Sequence, residues 1–217
     1  MKGLLIKDLK LLKSQKFFIT IIAVICCYFI ITEKLQFAMT YAAIIFSMLV
    51  ISTVNYDDEK NGMSFILTFP ISRKMYVLEK YVLGMLFMAV VLAVESIFMM
   101  AATAVKAASY APYDWFSAIL GFLLSSSLIL SATLPFQIKY GAEKGRMVLV
   151  TVFICMGIAA YSLRQVFKAL NIDLTEVIEK VASAGALEVA IFTIALSFGM
   201  MAVSYLLSAA AIKRKQF

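Results

Sequence analysis

The chain has 217 residues, 63% of them hydrophobic and only 15% charged, with 20 Lys+Arg against 13 Asp+Glu, a formal net charge of +7 and no histidine. Soluble domains carry about 25% charged residues, so this composition excludes a compact soluble globule, and it also excludes histidine-based catalysis, a disordered tail and a disulfide-stapled module. An integral membrane protein with one basic side remains.

A helix needs about 20 apolar residues to cross a ~30 Å hydrocarbon core. Six stretches reach or approach that length: 17–32, 35–54, 81–105, 115–136, 147–163 and 187–212. No alternating pattern of about 10 residues recurs, which argues against a β-barrel. The first stretch reads as a span and not as a cleaved signal, because no small-residue cleavage site follows it and Glu33-Lys34 leads straight into the next. The expected fold is a single all-α transmembrane domain over 1–217, with six helices.

In residues 1–16, Lys2, Lys7, Lys10 and Lys13 share one arc of a helical wheel, and Leu4, Leu5, Leu9, Leu11 and Leu12 the other, with Asp8 and Gln15 among the leucines. This pattern suits an elbow helix lying in the membrane interface, lysines towards anionic headgroups. An ordinary basic flank is the plainer reading.

The segment between spans two and three is acidic at Asp57, Asp58 and Glu59 and apolar at Met63, Phe65, Ile66, Leu67 and Phe69, and Pro70 stops any helix. Ser72 is placed to cap the next helix, with Arg73 and Lys74 in its first turn. So large an apolar cluster facing water marks a protein contact, unless the segment packs beneath its own bundle.

Glu95 is the one formal charge well inside a span. A carboxylate at that depth costs about 3 kcal/mol on insertion scales. It either lines a polar path or sits neutral against hydroxyls such as Ser96, Thr103 or those of the fourth span. That span carries a small polar strip of Gly121, Ser125, Ser126, Ser127, Ser131 and Thr133, which permits close helix approach. Cys26, Cys27 and Cys155 all fall within spans and suggest neither a disulfide nor a metal site, and the 13 methionines suit packing or an adaptable channel lining. After the fifth span, apolar positions at helical spacing over 163–181, with Asp173 and Glu176 as a cap, suggest a short helix pair that is either a lid or a surface cover.

Fifteen of the basic residues fall in 1–16, 55–80, 139–146 and the tail, against five (Lys34, Lys106, Arg164, Lys168, Lys180) on the other side. By the positive-inside rule both termini are cytoplasmic. The excess charge is thus an orientation signal and not a nucleic-acid footprint.

The run D-E-K-N-G…F-I-L-T-F-P-I-S-R-K…V-L-E-K-Y over 58–81, between the second and third spans, resembles the permease subunits of ABC-2-type transporters, closest to the short bacterial type encoded apart from its ATPase. The opening K-G-L-L-I-K-D-L over 2–9 is similar to the start of that family. The resemblance implies a coupling helix around 59–71 that docks on a separate ATPase subunit. Glu59, Phe65, Ile66, Leu67, Phe69, Pro70 and Ile71, with Arg73 and Lys74 behind them, would then form that interface. It also implies a multi-pass protein of the bacterial cell membrane and a second permease copy, identical or related. ATP and Mg would be bound by the partner, with no cofactor or metal in this chain. Glu95 would be a candidate for the translocation path. The chain has no G-x-x-x-x-G-K-[ST] phosphate loop, since Gly141-Ala-Glu-Lys-Gly145-Arg lacks both the spacing and the hydroxyl.

The resulting expectation is a non-enzymatic permease subunit, exporting amphipathic peptides or lipid-like compounds. The alternatives are a lipid-modifying membrane enzyme, for which Asp57-Asp58-Glu59 is the only acidic cluster, and a regulatory membrane subunit without a path of its own.

Overall fold

The structure is a computed structural model that describes residues 2–58, 62, 72–105, 109–169 and 185–214. The described residues form six helices: α1 (Lys2–Ser14), α2 (Lys16–Ile31), α3 (Leu35–Asp58), α4 (Arg73–Ala104), α5 (Pro112–Ala169) and α6 (Ala186–Arg214). Four are long and apolar enough to cross a membrane, at Leu35–Asp58, Arg73–Ala104, Pro112–Gly141 and Leu187–Ile212; α1 and α2, bent by 70°, make a fifth if counted as one span. The other expected span, 147–163, is helical and belongs to the far limb of α5.

The connections follow local chemistry. At the end of α2, Lys34 N–H bonds Phe29 O at 2.9 Å and Glu33 N–H bonds Ile30 O at 3.2 Å. This is a Schellman closure with Glu33 in the left-handed position at φ 59. The Glu33 carboxylate is held there by the Ser109 N–H at 3.1 Å. Ser72 caps α4 as the sequence suggests, its hydroxyl accepting from Met75 N–H at 3.2 Å. Pro112 opens α5, and Asp114 accepts from Ala111 N–H at 2.9 Å.

The loop expected at 139–146 is absent. The helix runs through that stretch with one non-helical residue, Gly141, at φ 80 and ψ −174. Only glycine enters that backbone region readily, so a single residue redirects α5 without a loop.

α3 lies at the centre, against α1, α2, α4 and α5, and α6 packs on α5 and α4. Ala38, Ala42 and Ala43 are fully buried on α3 and let its neighbours approach closely, as small residues do at interfaces in lipid. At Gly84 of α4 an added Cβ would stand 3.1 Å from Leu130 Cδ1 of α5. One apolar cluster gathers Ile22, Cys26, Met39, Met99 and Phe122, and a second gathers Val54, Tyr76, Leu83, Leu134, Ile138 and Ile212. Phe17, Phe37, Ile97, Met100, Leu206 and Leu207 are exposed, a surface suited to lipid and unsuited to water.

Candidate functional site

The 32 residues of α4 span about 48 Å, well over the ~30 Å of hydrocarbon. Its first two turns, up to Lys80, therefore precede the apolar run that begins at Tyr81. They meet the last turn of α3 and the face of α1 that carries Leu4, Asp8 and Leu12, all buried. Leucines at i and i+8 flank an acid at i+4, so one side of α1 is apolar with a single charge at its middle.

Lys80 is the hub, fully buried together with Asp8 and Glu79. Its ammonium pairs with Asp8 Oδ2 and with Asp57 Oδ2 at 2.7 Å. It also donates to Thr53 Oγ1 at 3.2 Å. Lys7, about one-third exposed, pairs with Asp57 Oδ1 and lies 3.1 Å from Asp8 Oδ1. Tyr76 donates its hydroxyl to Asp57 Oδ2 at 3.0 Å, and its ring centroid lies 5.2 Å from the Lys80 ammonium. Glu79 Oε2 is 3.7 Å from Lys80 Nζ, and neither Glu79 oxygen has a hydrogen-bond partner among the described residues.

Such a cluster adds little net stability over apolar packing, because desolvation offsets attraction, yet removing one member is costly. What it does supply is register: α1 docks with Asp8 opposite Lys80 and Lys7 opposite Asp57. Those residues tie together the two helix ends that flank residues 59–71, since Asp57 is in the last turn of the helix before them and Lys80 in the second turn of the helix after them. Further ties reach α6 from the same end of α4. Arg73 Nη1 donates to Ile212 O at 3.3 Å. Tyr81 OH bonds Ser204 and Ser208 at 2.5 and 2.8 Å, and Ser204 donates to Ser131 O at 2.7 Å.

The expected site residues are distributed unevenly. Glu59, Phe65, Ile66, Leu67, Phe69, Pro70 and Ile71 lie outside the described residues, as does the Lys2 side chain. Arg73 is turned to α6, whereas Lys74, Lys10 and Lys13 are exposed. Lys7 is committed to the ion cluster, and the leucine face of α1 is divided: Leu4 and Leu12 bury against the protein while Leu9 is exposed.

Glu95 is buried, within hydrogen-bonding reach of the Cys26 thiol of α2, and its Oε2 has no hydrogen-bond partner among the described residues. The hydroxyl of Thr103 is used instead on Met99 O and Met100 O. Apolar cavities lie elsewhere among the described residues. One of about 530 Å³ lies between α5 and α6, lined by Ser131, Ala132, Gly199, Met200, Val203 and Leu207 among others. One of about 190 Å³ is lined by Met85, Met88, Leu92, Leu123, Phe198 and Met201 among others. Glu95 borders neither. Cys26, Cys27 and Cys155 are free thiols, and no group of three or more metal-ligating side chains occurs among the described residues.

Sequence reading missed the roles of Asp8, Glu79 and Lys80. The one available signal was an acid centred between Leu4 and Leu12 on an otherwise apolar face, which demands a buried cation.

The described residues are all helical or connecting and include several helices of membrane length, the form of a multi-pass membrane protein. The family profile described as "ABC-2 family transporter protein" matches residues 3–213, and the chain belongs to that family. Neither the curated proteins nor the solved structures provide a match.

Proposed function

We propose that this chain is the membrane-spanning permease subunit of an ATP-driven exporter, coupled through its 59–71 segment to a separate ATPase that binds ATP and Mg. Membership of the ABC-2 family supports the permease role. The observation that carries the coupling role is the buried cluster of Asp8, Asp57 and Lys80, which braces both stems of the segment against α1. A segment that transmits force needs stiff attachments, and an apolar surface flanked by charge suits a groove on a partner.

In this reading 147–163 completes a set of six spans, and α1 rests on the cytoplasmic membrane surface through Lys10 and Lys13. Both termini face the cytoplasm of a bacterial cell. Two copies, identical or related, enclose the pathway, which carries amphipathic peptides or lipid-like compounds. Closure of the two ATPase subunits draws the paired segments together, and transport follows only if the substrate binds the two resulting states with different affinity.

The test is co-purification from the native membrane. A phosphate-loop ATPase should accompany the wild-type chain and be lost with Phe65→Asp or Phe69→Asp; retention in both variants would refute the docking role. Orientation is checked separately: in a cysteine-free background, a cysteine placed at Tyr110 should label from outside and one at Gly62 should not.

A further inference from the structure

The cluster joining α1, α3 and α4 holds three carboxyl groups, Asp8, Asp57 and Glu79, against two ammonium groups, Lys7 and Lys80. An ammonium has three protons to donate. Those of Lys80 have three acceptors close by, Asp8, Asp57 and Thr53. Lys7 donates to Asp57 and lies 3.1 Å from Asp8 Oδ1 as an ion pair without a hydrogen bond, and the Tyr76 hydroxyl is spent on Asp57. Glu79 is as buried as Asp8 and Lys80, yet both its oxygens lack a donor among the described residues. The ionisable groups facing it are Lys7 and Asp8 of α1, Asp57 of α3, and Tyr76 and Lys80 of α4. At this end of α4, α5 and α6 contribute Leu134, Ile138, Ile212 and the Ser208 hydroxyl, the last bonded to Tyr81.

A fully ionised set would leave one uncompensated negative charge in a dry site, which is expensive; a group so placed stays neutral. Asp8 and Asp57 each have an ammonium within about 3 Å, whereas Glu79 has only the Lys80 ammonium at 3.7 Å and no hydrogen-bond donor among the described residues. We infer that Glu79 is a proton-binding site: it holds one proton while α1 is docked, and undocking of α1 releases that proton to water. Docked, the five groups are then electrically balanced. Undocked, Glu79 is hydrated, ionises as an ordinary glutamate, and the proton passes to a water or buffer base. Cytoplasmic pH would thereby set how firmly the two helix ends that flank residues 59–71 are held. The inference rests on the docked geometry and is independent of whether an ATPase binds there.

The sign follows from linkage. The docked state binds one more proton than the undocked state above the ordinary glutamate pKa of about 4.3. Docking is therefore favoured at acid pH, and the undocked fraction rises with pH by up to about tenfold per unit, levelling once Glu79 ionises in place.

The experiment uses the full chain in lipid nanodiscs with Cys26, Cys27 and Cys155 replaced. A cysteine is introduced at buried Leu4 (Leu4→Cys) or, as reference, at exposed Leu9 (Leu9→Cys), and maleimide labelling rates are measured. The ratio of the two rates reports undocking with the thiol's own pH dependence removed. From about pH 5 to 7 the ratio should climb several-fold to tenfold per unit. In Glu79→Gln it should match the acid-side value and stay flat. A wild-type ratio that does not change with pH overturns the inference, as does a Glu79→Gln chain that labels at Leu4→Cys tenfold faster than wild type at acid pH. Should Glu79→Gln fail to fold, the wild-type slope decides, together with a protonated-carboxyl infrared band that persists in Glu95→Gln.

Discussion

Replacing Lys80 by methionine keeps the length of the side chain and removes its charge from a site with no solvent exposure. Asp8 is then left with Lys7 alone at 3.1 Å, and Asp57 with Lys7 and the Tyr76 hydroxyl. Breaking a buried pair from one side costs about 3–5 kcal/mol, because the orphaned carboxylates stay desolvated. At roughly 2–4 °C per kcal/mol for a chain of this size, thermal unfolding in a fixed detergent should fall by roughly 6–20 °C. The second arm of the experiment is Asp8→Leu with Lys80→Met. Asp8 sits between Leu4 and Leu12 on the buried face of α1, so a leucine there continues an apolar stripe. The double variant should recover at least half of the loss, followed by circular dichroism. A Lys80→Met chain that melts within about 3 °C of wild type, the scale of an exposed pair worth ~1 kcal/mol or less, would refute the account of a dry, interlocked cluster.

Two further outcomes follow from single positions. Gly141→Ala forces a side chain into φ 80 and places its Cβ 2.2 Å from Asp58 Oδ2, and should cost about 1–3 kcal/mol from the backbone alone. Because that strain is local, adding Asp58→Ala should not restore the melting temperature, and full restoration would mean that only the clash matters. Glu95→Gln keeps the shape of a side chain buried beside Cys26 and away from the 530 Å³ and 190 Å³ apolar cavities. Transport of a cationic substrate should therefore change less than about threefold, under ~0.7 kcal/mol, between about pH 5 and 8, and a tenfold loss would put Glu95 on the path.

The helices were legible because burial in lipid requires long apolar runs: those at 35–54 and 187–212 sit inside α3 and α6, and that at 81–105 ends at the C-cap of α4. Their ends were less so. α4 begins at Arg73, eight residues before its apolar run, because hydrogen bonding continues until a cap stops it, and Ser72 is that cap. The Ser72 cap could be read from residue type alone. The break at Gly141 could not: a glycine followed by Ala-Glu-Lys-Gly looks like a loop, and only packing against Asp58 reveals that one residue suffices. The ion cluster was the hardest to see. Lys7 meets Asp57 across 50 positions of sequence and Lys80 meets Asp8 across 72, so each charge looked like a flank residue serving orientation. Burial assigned them a different task.

In the proposed function the 59–71 segment transmits work from an ATPase, and the ion cluster at Asp57 and Lys80 anchors its two flanking helices. The most direct measurement is ATP turnover by the co-purified ATPase reconstituted with the permease in proteoliposomes. The permease should stimulate turnover, Phe65→Asp should abolish that stimulation, and Lys80→Met should lower it while leaving the ATPase bound. Equal stimulation by wild type, Phe65→Asp and Lys80→Met would contradict the claim.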